Sequence, residues 1–239
     1  MELSSPNQPL YAQIRANLIE RIASGFYPTG ACLPSEIALA EAEGVSPGTV
    51  RKAIDSLVAD GILRRHQGKG TFVSEHTEER AQYQFFRLTD RDGNRVTPVP
   101  GTVEIHGDRV SADVAEKLSL AKGDPVWRIE RKRFIDDQPV LLETIVVAQA
   151  DMPELSSIGP LPNALYPFYQ VKFGLSVMTT EDALSAVLAN ARDAAALGRP
   201  EKSALLMIER VARDLTGRPI EWRCTRCLTQ HHSWSVTLR

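Results

Sequence analysis

Three charged residues in the middle of the chain stand where charge is costly. The run Val126–Phe134 alternates at the period of a strand, which puts Arg131 and Arg133 on the face that carries Trp127 and Ile129. The run Val140–Val147 does the same for Glu143, among Leu141, Ile145 and Val147. Charges on an apolar face must be paired or bound to something. Two readings follow: a buried Arg–Glu network, or a pocket in which guanidinium forks grip a carboxylate or phosphate. The alternation does not choose between them.

A second constellation is Cys224-Thr225-Arg226-Cys227, followed by His231 and His232. Thiolates and imidazoles suit zinc or copper. Against a metal site, a strand places residues three apart on opposite faces, there is no second Cys pair, and Cys32 is far away in sequence. No metal and no cofactor is expected. No Ser-His-Asp order, phosphate-binding glycine loop or nucleotide fingerprint is present, so no catalytic residue is assigned.

The third constellation is basic and lies near the N-terminus. Ser35 is an N-cap with Glu36 behind it, Leu39 and Ala40 give the helix an apolar side, and Gly44 ends it. Ser46 caps a second helix with Pro47 in its first position. Val50, Ile54, Leu57 and Val58 form its buried stripe, which leaves Gly48, Thr49, Arg51, Lys52 and Asp55 on the open face, and Gly61 stops it. Ile62, Leu63, Phe72 and Val73 belong to two short strands joined by the tip from His66 through Gly68, Lys69 and Gly70 to Thr71. This is the layout of a winged helix-turn-helix. A helix in the major groove places its N-terminal residues, here Thr49 and Arg51, against base edges. The glycines let the wing approach a phosphate or a minor groove. Arg64, Arg65 and Lys69 read as backbone-positioning contacts, and His66 as a phosphate or base contact.

These motifs carry a resemblance. Pro9-Leu10-Tyr11-Ala12-Gln13-Ile14, Leu33-Pro34-Ser35-Glu36, Leu39-Ala40, Gly44-Val45-Ser46, Thr49-Val50-Arg51-Lys52-Ala53 and Gly68-Lys69-Gly70-Thr71-Phe72-Val73 resemble the DNA-binding domain of the GntR family of bacterial regulators. The resemblance implies DNA contacts from Ser35, Ser46, Thr49, Arg51, Lys52, Arg65, His66, Gly68, Lys69 and Gly70. Many members carry Arg where this chain has Ile37 and Pro47, which suggests a different operator.

Around these motifs, the 239 residues suit two domains, and 43% hydrophobic with 24% charged residues is ordinary for a soluble protein. The net charge of −2 neither demands nor forbids nucleic acid; most of the basic residues of the first 76 are gathered on the second helix and the wing. No apolar run approaches the ~20 residues of a membrane span, no signal peptide is evident, and three cysteines make no disulfide framework, so a cytoplasmic protein is expected. Leu10, Ile14, Leu18 and Ile22 mark an amphipathic first helix ended by Gly25, with a turn at Tyr27–Gly30. The charged residues 76–82 read as a linker between a domain 1–75 and a domain 83–239.

From about Tyr83 the pattern turns to strands. Val96–Ile105 is β-rich with edge-like prolines, Ser111 caps a helix over Ala112–Leu118, and the two runs holding Arg131 and Glu143 flank a turn at Asp136–Pro139. Ala164–Phe173 reads as helix, and Val177–Leu188 as helix or strand. Leu205–Asp214 and Ile220–Leu228 form a second hairpin, and Ser233–Leu238 a last strand. Ala115, Leu118 and Ile129-Glu130-Arg131 recur 79 residues later as Ala194, Leu197 and Ile208-Glu209-Arg210, with Glu143 and Glu221 each in a second strand. The expected fold class is α+β, an antiparallel sheet with packed helices.

This half resembles the UTRA effector-binding domain of the HutC subfamily, whose fold is similar to chorismate lyase. The resemblance rests on Arg131-Lys132-Arg133, Asp136–Val140, Glu143, Leu165-Tyr166 and Pro219-Ile220-Glu221. It implies that Arg131, Arg133, Glu143, Tyr166 and Glu221 line an effector pocket. Ala164 and Cys227 depart from the Ser and Tyr common there. The expectation is a homodimeric repressor on a palindromic operator, with a small anionic or zwitterionic effector and no membrane partner. Its rivals are a metal-sensing regulator using Cys224 and Cys227, and an enzyme with a lyase-like domain.

Overall fold

A computed structural model describes residues 8–75 and 87–236; the expected linker 76–82 and the residues from Tyr83 to Phe86 lie outside the described residues. The chain divides into two compact units, Met1–Glu75 and His76–Arg239.

The first unit holds α1 (Leu10–Ala23), α2 (Glu36–Glu43), α3 (Pro47–Ala59), β1 (Leu63–His66) and β2 (Gly70–Val73). Its helix boundaries follow from the caps. Ser35 Oγ accepts from the Ala38 N–H at 3.1 Å and Ser46 Oγ from the Thr49 N–H at 3.2 Å, and Gly44 closes α2 in the left-handed region at φ 66°. Ile14, Leu18 and Ile22 of α1 are buried, as are Leu39 and Ala40 of α2 and Val50, Ala53, Ile54 and Leu57 of α3. Each large apolar side chain so buried contributes roughly 1.5–3 kcal/mol. β1 and β2 pair antiparallel, Leu63 with Val73 and His66 with Gly70. A third stretch joins them beyond the Tyr27–Gly30 turn: the Val73 N–H donates to the Ala31 carbonyl and the Leu33 N–H to the Thr71 carbonyl.

The second unit is a six-stranded antiparallel sheet in the order β4-β5-β6-β9-β8-β7. Its strands are β4 (Val99–Arg109), β5 (Pro125–Ile135), β6 (Gln138–Ala148), β7 (Thr179–Leu188), β8 (Ala204–Arg213) and β9 (Pro219–Cys227). Helices α4 (Ala112–Leu118) and α6 (Ala191–Leu197) pack on one face, where Val114, Ala115 and Leu118 meet Val126, Val146 and Trp222. Helix α5 (Leu165–Phe173) covers the other face with Met152 and Leu155, against Ile129, Ile145 and Val147. A small pair, β3 (Leu88–Thr89) with β10 (Ser233–Trp234), completes the unit. The expected last strand is thus shorter than Ser233–Leu238, of which residues 237–238 lie outside the described residues.

The repeat is longer than the sequence suggested. Strand–helix–hairpin β4-α4-β5-β6 returns as β7-α6-β8-β9, with the two helices starting 79 residues apart at Ala112 and Ala191. Because β6 pairs with β9, an approximate two-fold axis runs between them. The ambiguous Val177–Leu188 is therefore a strand from Thr179 on, the counterpart of β4. Both lie at sheet edges, and β4 carries a bulge between Pro100 and Val103 where its proline is tolerated.

Candidate functional site

The expected DNA-contact residues of the first unit lie at α2, α3 and the wing. Thr49 lies in the first turn of α3, its hydroxyl 2.9 Å from Ser46 Oγ. Arg51 is exposed, and its Nε donates to Glu36 Oε2 at 2.7 Å, which raises its pKa. Lys52 Nζ lies 4.1 Å from the centroid of the Tyr11 ring on α1, a cation–π contact. Arg65 of β1 is held at both ends, by Asp55 at 2.5 Å and Glu36 at 2.9 Å. His66 packs edge-on against Phe72, with ring centroids 5.1 Å apart. Lys69 is exposed between Gly68 (φ 72°) and Gly70 (φ 120°), and a Cβ on Gly70 would lie 3.0 Å from Cys32 Sγ. Ser35 and Ser46 accept backbone bonds as caps, which leaves hydroxyl hydrogens able to donate. Glu36 and Asp55 thus bring Arg51 of α3 and Arg65 of the wing together beside the start of α2. Sequence reasoning missed that Glu36 and Asp55 tie these two down.

In the second unit, all five expected residues meet on the α5 side of the sheet, buried and joined by others. Arg131 stands opposite Glu143 in register, with Arg131 Nε 3.6 Å from Glu143 Oε2. Arg131 Nη2 donates to the Asn163 carbonyl at 3.0 Å, while its Nε and Nη1 have no hydrogen-bond partner among the described residues. Arg133 Nη2 donates to the Pro98 carbonyl and to Asn163 Oδ1, both at 2.6 Å, and its Nη1 lies 3.7 Å from Glu143 Oε1. Arg223 bridges the two carboxylates. It donates to Glu143 Oε1 at 3.3 Å and grips Glu221 with a fork, Nε to Oε1 and Nη2 to Oε2, each 3.0 Å. Tyr166 and Tyr169 hydroxyls donate to the same Glu221 at 3.1 and 2.8 Å. Arg210 forks onto Asp182 at 2.6 and 2.7 Å.

Burial alone would push the Glu143 pKa up, but Arg133, Arg223 and Arg131 reverse that and hold it at about 2. Burial draws Arg133 down to about 10 against the opposing pull of Glu143. Burial and the Glu221 charge hold both tyrosines protonated, with pKa values above the usual phenol range. Among the described residues, the cluster thus sets Arg131, Arg133, Arg210 and Arg223 against Glu143, Glu221 and Asp182, four positive groups against three negative ones. Beside it lies a cavity of about 40 Å³ lined by Arg133, Glu143, Asn163, Tyr166, Arg210 and Arg223, with Leu88 of β3 and Trp234 of β10 in its wall. It has room for water.

Residues 101–233 match the UTRA domain, and residues 10–73 match the bacterial regulatory proteins of the gntR family. The chain belongs to the GntR family of bacterial regulators. This regulator is 31% identical over 215 residues to the probable fructoselysine utilization operon transcriptional repressor of Escherichia coli (strain K12), covering 90% of the chain and 88% of the relative. It is 36% identical over 155 residues to the mannosyl-D-glycerate transport/metabolism system repressor MngR of the same organism, covering 63% of each. Its fold is similar to that of PhnF from Mycobacterium smegmatis, at TM-score 0.55 and 24% identity over 95% of this chain and 99% of that one. The family and the two Escherichia coli relatives are transcriptional regulators, not enzymes.

The regulator's Cys224 and Cys227 lie on opposite faces of β9, Cys224 in the helix-side core and Cys227 beside Leu141 and Leu228. They cannot close on one ion together. Burial raises both thiol pKa values, that of Cys227 to about 12, which disfavours thiolate ligation. No His, Cys, Asp or Glu cluster of metal-binding size exists among the described residues.

Sequence reasoning missed Asn163, Tyr169, Asp182, Arg210 and Arg223 in this cluster. The repeat held the signal for Arg210, the counterpart of Arg131. Glu143 and Glu221 each fall in a second strand, as expected, but they are not at equivalent register positions. Arg223 faces Arg210 as Glu143 faces Arg131, so Arg223 is the residue equivalent to Glu143.

Proposed function

We propose that this regulator is a homodimeric repressor on a palindromic operator in the cytoplasm, released by a small anionic or zwitterionic, hydroxyl-bearing metabolite. The supporting observation is the buried cluster of arginines and carboxylates beside a cavity. A ligand carboxylate or phosphate would pair with these arginines, while Asn163, Thr225 and Tyr166 in the lining suit hydroxyl groups. Relatives named for fructoselysine and mannosyl-D-glycerate support a sugar-derived class. The cavity is too small for such a molecule as it stands, so entry would displace the wall formed by Leu88 and Trp234. Among the described residues, no helix is long and apolar enough to cross a membrane.

The test is a thermal-shift screen of sugar phosphates, sugar acids and amino acids on the full chain, followed by operator binding with each hit. A true effector at ~100 times its Kd adds about 2.7 kcal/mol of stability, a rise of roughly 5–10 °C in Tm. It should also weaken operator binding in the wild type but not in Arg133→Ala. A hit that raises Tm and leaves operator binding unchanged refutes the reading.

A further inference from the structure

We propose that Glu36 is a positioning residue for DNA reading: its carboxylate fixes the Arg51 guanidinium and withholds Arg65 from phosphates, so that the regulator separates its operator from unrelated DNA. The proposal rests on reading α3 and the wing as the DNA-reading surface. Glu36 opens α2 directly after the Ser35 cap, so its backbone is held by the capped turn. Its carboxylate reaches across to two other elements at once, Oε2 to Arg51 Nε of α3 at 2.7 Å and Oε1 to Arg65 Nη2 of β1 at 2.9 Å. The Glu36 side chain is only 22% exposed, while that of Arg51 is 65% exposed, so the acid is the more shielded of the two.

The choice of atoms matters. Because Glu36 takes the Nε of Arg51, rotation of the guanidinium plane is restrained while both Nη groups stay open. Those are the atoms that form a bidentate pair with guanine O6 and N7. Arg65 is in the opposite situation, with Nη1 on Asp55 and Nη2 on Glu36. Two of its five N–H donors are thus taken by carboxylates, so a phosphate meets a guanidinium already partly neutralised. Non-specific binding is driven by neutralising phosphates, whereas specific binding adds base contacts. A carboxylate on this face therefore weakens the first and pre-aligns the second.

The experiment uses the full chain, a duplex selected by the wild type from a random pool, and a scrambled duplex of the same length and composition. Affinities for both are measured over a salt series for wild type, Glu36→Gln, Glu36→Asp, Arg51→Ala and Glu36→Gln/Arg51→Ala. In Glu36→Gln, binding to the scrambled duplex should tighten severalfold and its log–log salt slope should steepen by about one. The ratio of selected to scrambled affinity should fall about tenfold or more, with Glu36→Asp in between. In the Arg51→Ala background, Glu36→Gln should no longer weaken the selected complex, because the two act through one contact. A change by the same factor on both duplexes, an unchanged ratio, or strict additivity with Arg51→Ala overturns the proposal. A wild type that shows no preference between the duplexes instead overturns the DNA-reading surface itself, and the proposal with it.

Discussion

Glu143→Gln removes the charge at the centre of the buried cluster while keeping its shape, and its cost can be worked from the geometry. Glu143 faces Arg223 at 3.3 Å, Arg131 at 3.6 Å and Arg133 at 3.7 Å. Their combined pull holds its pKa at about 2 against an ordinary 4.5. At about 1.4 kcal/mol per unit, that gap is worth about 3 kcal/mol of stability. Breaking a buried ion pair from one side costs about 3–5 kcal/mol, which agrees. The second unit should therefore melt about 6–12 °C lower. The pH dependence identifies the cause. A depressed carboxyl contributes fully above its unfolded pKa, and its contribution fades as pH falls toward the folded value. The difference between wild type and variant should be constant from about pH 7 to about pH 5 and shrink below about pH 4.5. Inorganic phosphate should raise the Tm of the variant more than that of the wild type, since the variant sets one negative group fewer against the arginines. Differential scanning calorimetry over pH, with and without phosphate, makes the measurement. A loss under about 1 °C, or one undiminished at about pH 3, refutes the assignment of Glu143 as the charge that balances the arginines.

Tyr169→Phe takes one of the two tyrosine donors from Glu221, a loss of about 1.5–3 kcal/mol visible in urea unfolding, with operator affinity in the absence of effector unchanged. Ser46→Ala removes the cap of α3 and should cost the first unit about 0.5–2 kcal/mol, while Ser46→Gly costs only a few tenths; equal losses in thermal melts would contradict the cap.

Most elements were legible because their boundaries rest on local chemistry. Ser46-Pro47 opens α3 and Gly61 follows its end, and alternation placed Arg131, Arg133 and Glu143 on one buried face. The failures have physical reasons. β7 is an edge strand with Leu184 and Leu188 exposed, so it lacks the one-sided burial that writes alternation into a sequence. β9 is a central strand buried along nearly its whole length, so nothing distinguished Arg223 from its neighbours. Tyr169 was recoverable, since it stands three residues after Tyr166 and hence on the same side of α5. The ties from Glu36 to Arg51 and Arg65 join residues far apart in sequence, and no local pattern specifies them.

The repeat explains why the charged cluster lies where it does. β6 and β9 meet at the approximate two-fold axis, so side chains from both halves converge there on the face beneath α5. The halves agree in one position, Arg131 and Arg210, and differ in the next, where Glu143 of the first half is answered by Arg223 of the second. A symmetric pair of Arg–Glu contacts would be neutral and closed. Replacing one carboxylate by an arginine forces compensation from elsewhere, and Asp182 on β7 and Glu221 on β9 supply it. Those partners engage Arg210 and Arg223 from the second half, which leaves Arg131 and Arg133 sharing Glu143 at the longer distances of 3.6 and 3.7 Å. Among the described residues, the longer ion-pair contacts therefore fall to the first half, beside the cavity. An anion drawn to it would touch both halves, at Arg133 on β5 and at Arg210 and Arg223 on β8 and β9. Occupancy would then bear on the packing of the two halves against each other, and not on one hairpin alone.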